Sequence, residues 1–382
     1  MRIPLSYNLR NLFVRRTTAA LTAAGIALTV AVLVAVLAMN EGMRDSLEAT
    51  GHPLHLIVLR KGATSELTSV MLREVYQSIR AMPGVETASL EIVTGITMPG
   101  EAGSKEASNL TLRGLAPEGL ALRPGLRIVE GRAFAPGKRE VVVGRSLAAR
   151  FPGARLGREL RFGRGLWRVV GVADGGGSSW NSEVFADLHQ VAADYNRPQA
   201  LSSILIRVND EAALPALRHT LEQDRRLNAQ AQPEQEYYRA QMVSALPIQF
   251  MGTVVSILLA VGSCFSAMNT MYAAVARRTA EIGTLRVLGF SRGSILLSFL
   301  VESIVLALLG GALGCLLAWP LHNLDTAIGN FVTFTEFSFR LKVTWPIAAL
   351  GMGLGLLMGV AGGLFPAWSA SRRDILAALR TV

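Results

Sequence analysis

Long apolar runs alternate with mixed stretches along the chain. Four runs reach the roughly 20 residues that a helix needs to cross a bilayer: residues 18–39, 248–276, 295–319 and 345–366. The second, with the lead-in 244–276, spans about 43 Å as a helix over its apolar part, against a hydrocarbon core of about 30 Å. A helix starting near Glu234 would continue it outward as a stalk, with Pro247 able to kink it. Small residues recur at four-residue spacing inside the runs: Ala19, Ala23, Ala27, Ala31 and Ala35 in the first, Gly310 and Gly314 in the third, and Gly351, Gly355, Gly359 and Gly363 in the fourth. Such stripes let helices approach closely in lipid.

Residues 40–243 form one extramembrane domain, long enough for its own core. Period-2 patterns predict strands over 54–60, 85–92, 110–113, 139–143, 159–162, 167–172 and 200–208. Helical spacing predicts helices over 69–81, 146–151 and 214–223. The fold class is therefore an α-helical four-span membrane domain with a large mixed α/β extracytoplasmic domain inserted between the first and second spans. Residues 320–344 form a short outer loop, with a small strand or interfacial segment over 331–343. Residues 4–14 suit an amphipathic helix within a cytoplasmic N-terminus, 1–17, and 367–382 are a cytoplasmic tail.

Charge fixes the orientation. Of the net +10, Arg2, Arg10, Arg15 and Arg16 precede the first run, while Arg277, Arg278, Arg286 and Arg292 face one carboxylate, Glu281, in the connection 277–294. The positive-inside rule puts both termini and this connection in the cytoplasm. Basic residues hug membrane ends, so nucleic acid is not the partner. Membrane lipid is. Within the connection, Ile282, Leu285 and Gly289 share a helical face, with Arg278 and Arg286 at wet edges; Gly283 can relax the helix, Gly289 can cap its end, and Ser291 can cap the next. Glu302, inside the third run, needs a basic partner, because an isolated charge costs about 2.5–3.5 kcal/mol there.

Catalytic patterns are missing. Gly137-Lys138 lacks the phosphate-loop spacing, so the chain is not its own ATPase. His52 and His55 have no further ligands at metal spacing, and the glycine run 174–179 reads as a turn. Cys264 and Cys315 sit inside spans and behave as small apolar residues. An enzyme is thereby disfavoured.

The segment MNTMYAAVARRTAEIGTLRVLGFSRGS (268–294) and its continuation to Gly314, the tail PAWSASRRDILAALR and the opening NLRNLFVRRTTAALTAAGIAL closely resemble the FtsX/MacB-like permeases of ABC transporters. The Arg278 to Arg286 pattern carries most of that likeness; Ile375 departs from it, standing where many relatives have proline. The resemblance implies a non-catalytic transmembrane subunit of the bacterial inner membrane, itself binding no cofactor and working as a homodimer or paired permease with a separate ABC ATPase that carries the ATP and Mg²⁺, and in some branches with a membrane-fusion adaptor. It implies mechanotransmission: ATPase closure pushes on Arg277, Arg278, Glu281, Ile282, Gly283, Leu285, Arg286 and Gly289, and the motion travels to the outer domain. The size of that domain favours the macrolide-efflux and lipoprotein-release branches, acting on a hydrophobic or amphiphilic substrate. A signalling or scaffold module activating a periplasmic partner is the alternative.

Overall fold

A computed structural model describes residues 16–99, 107–329, 333 and 335–372. The amphipathic segment 4–14, with Arg10 and Arg15, and the tail beyond Arg372 lie outside the described residues. The chain enters through helix α1 (Arg16–Glu48). Next come β1 (His55–Arg60), β2 (Met71–Leu72), α2 (Val75–Arg80), β3 (Val85–Pro99), β4 (Ala107–Leu115), α3 (Pro117–Ala121), β5 (Arg127–Gly131), β6 (Glu140–Gly144), α4 (Arg145–Arg150), β7 (Glu159–Phe162) and β8 (Gly165–Asp174). Then follow β9 (Glu183–Asp187), α5 (Leu188–Asp194), β10 (Ala200–Leu201), β11 (Ser203–Val208), α6 (Leu214–Gln223), β12 (Ala229–Pro233) and α7 (Glu234–Ala240). The remainder is α8 (Leu246–Arg277), α9 (Thr279–Val287), α10 (Arg292–Ala318), the hairpin β13 (Asp325–Gly329) with β14 (Glu336–Arg340), and α11 (Trp345–Ser371). Two compact units result: one from the described residues of Met1–Glu41, Pro247–Leu324 and Leu341–Val382, the other from Gly42–Leu246 and Asp325–Arg340.

The second unit is built on one mixed sheet, ordered β12-β1-β11-β3-β4-β9-β6-β8-β5, with β7 on the free side of β8. Its central strands are buried on both faces, so they read as apolar runs with little alternation. Val141 and Val143 face one core and Val142 the other; Val184 and Ala186 oppose Phe185 in the same way. The helix expected over 69–81 forms only as α2. Before it, Met71 is buried while Val70 and Leu72 point to solvent, a period-2 pattern, and β2 pairs with β10. The strand expected over 200–208 breaks at Ser202, whose hydroxyl accepts from the Val93 N–H at 2.9 Å and donates to its carbonyl at 3.1 Å. The glycine run is a turn, with Gly176 and Gly177 at φ +64 and +96.

Between β3, β4 and β9 lies a buried ionic network. Arg113 donates to both carboxylate oxygens of Glu66 (2.7 and 2.9 Å) and of Glu183 (2.7 and 3.2 Å), and to Glu91 at 2.7 Å. Arg123 donates to Glu91 at 2.9 Å, and Ser203 to Glu66 at 2.6 Å. Burial alone would raise the Glu91 carboxyl, but Arg123 and Arg113 outweigh it and hold the group below the ordinary range. The same burial pushes the Tyr237 and Tyr238 phenols well up.

Nearer the surface, two 2.7 Å hydrogen bonds from Arg132 hold the Glu140 carboxyl at about 2, against a usual 4.5. A depressed folded-state pKa stabilises the fold above the unfolded value and loses that contribution as pH falls through the folded one. The melting-temperature gap between the parent and Glu140→Gln is therefore expected to close between about pH 4.5 and about pH 2. A gap constant across that window would show that the pair contributes no linkage.

Among the described residues, four helices are long and apolar enough to cross a membrane: Ala19–Glu48, Leu246–Arg277, Arg292–Leu321 and Trp345–Ser371. With the inserted α/β domain they make a four-span membrane protein. Helix α1 runs nine residues past the expected end at 39, and α11 five past Pro366. The expected stalk from Glu234 is interrupted: α7 ends at Ala240, a 3₁₀ turn takes Gln241–Ala245, and Pro247 sits in the first turn of α8, where its missing N–H costs nothing.

Glycines set the helix spacing. A Cβ on Gly314 would lie 2.6 Å from the Ala27 carbonyl, one on Gly310 2.8 Å from that of Ala23, and one on Gly363 2.5 Å from the Ser303 Cβ. At Gly351 it would meet Val34 at 2.8 Å, and at Gly359 it would overlap Ala307; Gly355 has ordinary room. On α1 the every-fourth alanine stripe does not persist as the contact face. Steps of four advance about 40° per repeat, so Ala23 and Ala27 are buried but Val30, Val34 and Ala38 replace Ala31 and Ala35.

Candidate functional site

The basic connection is helix α9 between two turns. The chain leaves α8 at Arg277, turns at Arg278, and ends α9 at Leu288. Gly289 adopts φ +89, and the Phe290 N–H reaches back to the Leu285 carbonyl at 3.1 Å, the six-residue closure of a left-handed cap. Arg286 adds a 3.2 Å bond to the Phe290 carbonyl, a cation at a helix C-terminus. Ser291 caps α10 by accepting from the Ser294 N–H at 3.2 Å.

Burial reverses the expected face. Ile282 is 3% exposed and packs with Met271, Val275, Ile295, Phe299 and Ala367; Gly283 is buried and Leu285 half-buried. The outward stripe is instead Ala280, Thr284, Val287 and Leu288, at i, i+4, i+7 and i+8. Val287 and Leu288 are more than 60% exposed, large apolar side chains at the end of a short charged helix. Arg277, Glu281 and Arg292 are exposed around them.

Arg278 does not stay at a wet edge. Its Nη1 donates to Glu302 Oε2 at 3.0 Å, Nε lies 3.5 Å from Glu281, and the guanidinium covers the Phe299 ring at 5.6 Å. Both side chains of the Arg278–Glu302 pair are at most 7% exposed. Glu302 thus finds the basic partner its position demands, and the pair pins the start of α9 to the second turn-pair of α10. The six helix-packing glycines lie on α10 and α11, apart from this pair. His52 and His55 fall in the other unit, where His55 Nδ1 lies 2.9 Å from Glu234.

Residues 19–224 match the family model of the MacB-like periplasmic core domain, and residues 253–375 match the FtsX-like permease C-terminal domain. The macrolide export ATP-binding/permease protein MacB of Rhodopseudomonas palustris (strain BisB18) is 28% identical over 326 residues, covering 79% of this chain and 47% of that protein. MacB 1 of Aeromonas hydrophila is 29% identical over 82% of this chain and 50% of its own length. An uncharacterized ABC transporter permease of Bacillus subtilis, YknZ, is 35% identical over 36% of this chain and 32% of its own. The chain spans about half the length of the MacB relatives it matches. Among solved structures, the periplasmic region of MacB from Actinobacillus actinomycetemcomitans aligns at 12% identity and TM-score 0.39, covering 52% of this chain and 96% of that one.

Proposed function

The chain belongs to the MacB/FtsX-like ABC transporter permeases, and from that premise we propose that it transmits the ATP-driven motion of a separate ABC ATPase to its extracytoplasmic domain, exporting or extracting a hydrophobic or amphiphilic substrate. ATP and Mg²⁺ bind to the partner, and α9 faces the cytoplasm as the element that partner grips. The observation carrying this reading is the exposed stripe Ala280, Thr284, Val287 and Leu288 on a helix whose other face is locked by Ile282 and by Arg278–Glu302. A helix so fixed passes a push on its outer face directly to α8 and α10. The bare apolar side of α8, with Phe250, Leu258 and Phe265 exposed, supports pairing with a second permease copy in the membrane.

The test uses the chain reconstituted in lipid nanodiscs with its ABC ATPase partner. Leu288→Asp is expected to weaken ATPase association by about 2 kcal/mol, roughly thirtyfold, as for a truncated interface anchor. Glu281→Lys is expected to lower permease-stimulated ATP turnover without lowering the melting temperature. If both variants bind and stimulate like the parent, α9 is not the grip.

A further inference from the structure

Within the outer unit, a cavity of about 460 Å³ lies between β4, α4 and the β13–β14 hairpin. That volume falls inside the roughly 300–1,000 Å³ range of small-molecule sites. Its walls are mainly apolar, from Leu110, Leu147, Ala149, Ala327 and Phe337. The charges at its rim are already matched: Arg150 pairs with Glu336, and Asp325 with Arg340 at 2.8 Å. An ionic ligand would have to compete with one of these pairs; a neutral one would not. Ser338 also lines the cavity, is 8% exposed, and its hydroxyl has no hydrogen-bond partner among the described residues. A buried hydroxyl left unpaired is unfavourable until a partner arrives.

We propose that this cavity binds one uncharged amphiphile, its apolar body against Leu147 and Phe337 and its polar group hydrogen-bonded to Ser338 Oγ. The hairpin, whose strands pair with each other among the described residues, forms one wall of the cavity. Calling the ligand cargo rests on the export reading above, whereas binding itself does not.

The full chain in nanodiscs, without nucleotide or ATPase, is titrated with a neutral dansyl-labelled alkyl amide and with its carboxylate and ammonium counterparts; empty nanodiscs supply the background. Saturable binding of the neutral probe is expected, with both charged probes at least about tenfold weaker. Ala149 and Ala327 are solvent-accessible, so A149F and A327F fill the cavity without displacing the core and should abolish the saturable signal. Ser338→Ala should weaken binding about threefold to tenfold while leaving the ligand-free melting temperature equal or higher. A merely structural hydroxyl would lower it. Neutral-probe binding that survives both filling variants, or a preference for either charged probe, overturns the proposal. Lost ATPase coupling with binding intact strikes only the export reading, and lost binding with coupling intact strikes only this one.

Discussion

Arg113→Met should unfold the outer domain. The substitution leaves Glu66, Glu91 and Glu183 buried together with Arg123 as the remaining cation of the network. Removing one partner of a buried pair costs about 3–5 kcal/mol, and this guanidinium serves three carboxylates. Against a typical domain stability of about 5–15 kcal/mol, the result should be a protease-sensitive outer domain in an otherwise membrane-inserted chain. Limited proteolysis of the full chain reads this directly. Adding Glu66→Gln and Glu183→Gln to the same variant should restore much of the resistance, since the uncompensated charge is then gone. Parent-like resistance of Arg113→Met alone would mean that the carboxylates are solvated or neutral.

A second large effect is expected at Arg278–Glu302. Arg278→Met leaves Glu302 within the apolar packing of Phe299 and Ile295, at a cost of about 3–5 kcal/mol. Glu302→Met alone strands the guanidinium instead, although Glu281 at 3.5 Å gives it another carboxylate and should soften the loss. The double variant should recover stability, because two thioethers pack where two ions were. Coupling separates the two roles of the pair. If the charges only hold α9 in place, the double variant restores ATPase stimulation along with melting temperature; if stability returns without stimulation, the polarity of this joint is itself needed. Equal stability of both single variants and the parent would falsify the assignment of a buried pair.

Much of this architecture was legible because apolar length, caps and turn residues are local signals. Gly289 and Ser291 mark the end of α9 and the start of α10 from residue type alone. The strands missed were those whose signal is not local. β9, EVFAD, is buried throughout and does not alternate; β12, AQAQP, alternates alanine with glutamine and carries little hydrophobicity; β5 is an edge strand exposed along its length. At the site, the need of Glu302 for a partner was visible, but Arg278 lies 24 residues away and its burial depends on how α8, α9 and α10 meet. Which side of α9 is buried was hidden for a related reason. Helical spacing separates Ile282 from Val287, yet it cannot say which side the protein covers with its own helices. The Arg113 network was invisible because Glu66, Arg113 and Glu183, read singly, look like surface charges.

Helix α1 has one more implication. Its 33 residues, about 50 Å, carry buried side chains near one end, Ile26, Val30 and Val34, and near the other, Met43 and Leu47. Both sets hang on one uninterrupted backbone with no proline. Within the first unit that backbone sets the phase of residues against glycine: Ala23 faces Gly310 and Val34 faces Gly351. One residue inserted between Ala27 and Val30 would turn Val34 by about 100° relative to Ala23, whereas seven would nearly restore the phase while adding about 10 Å of length.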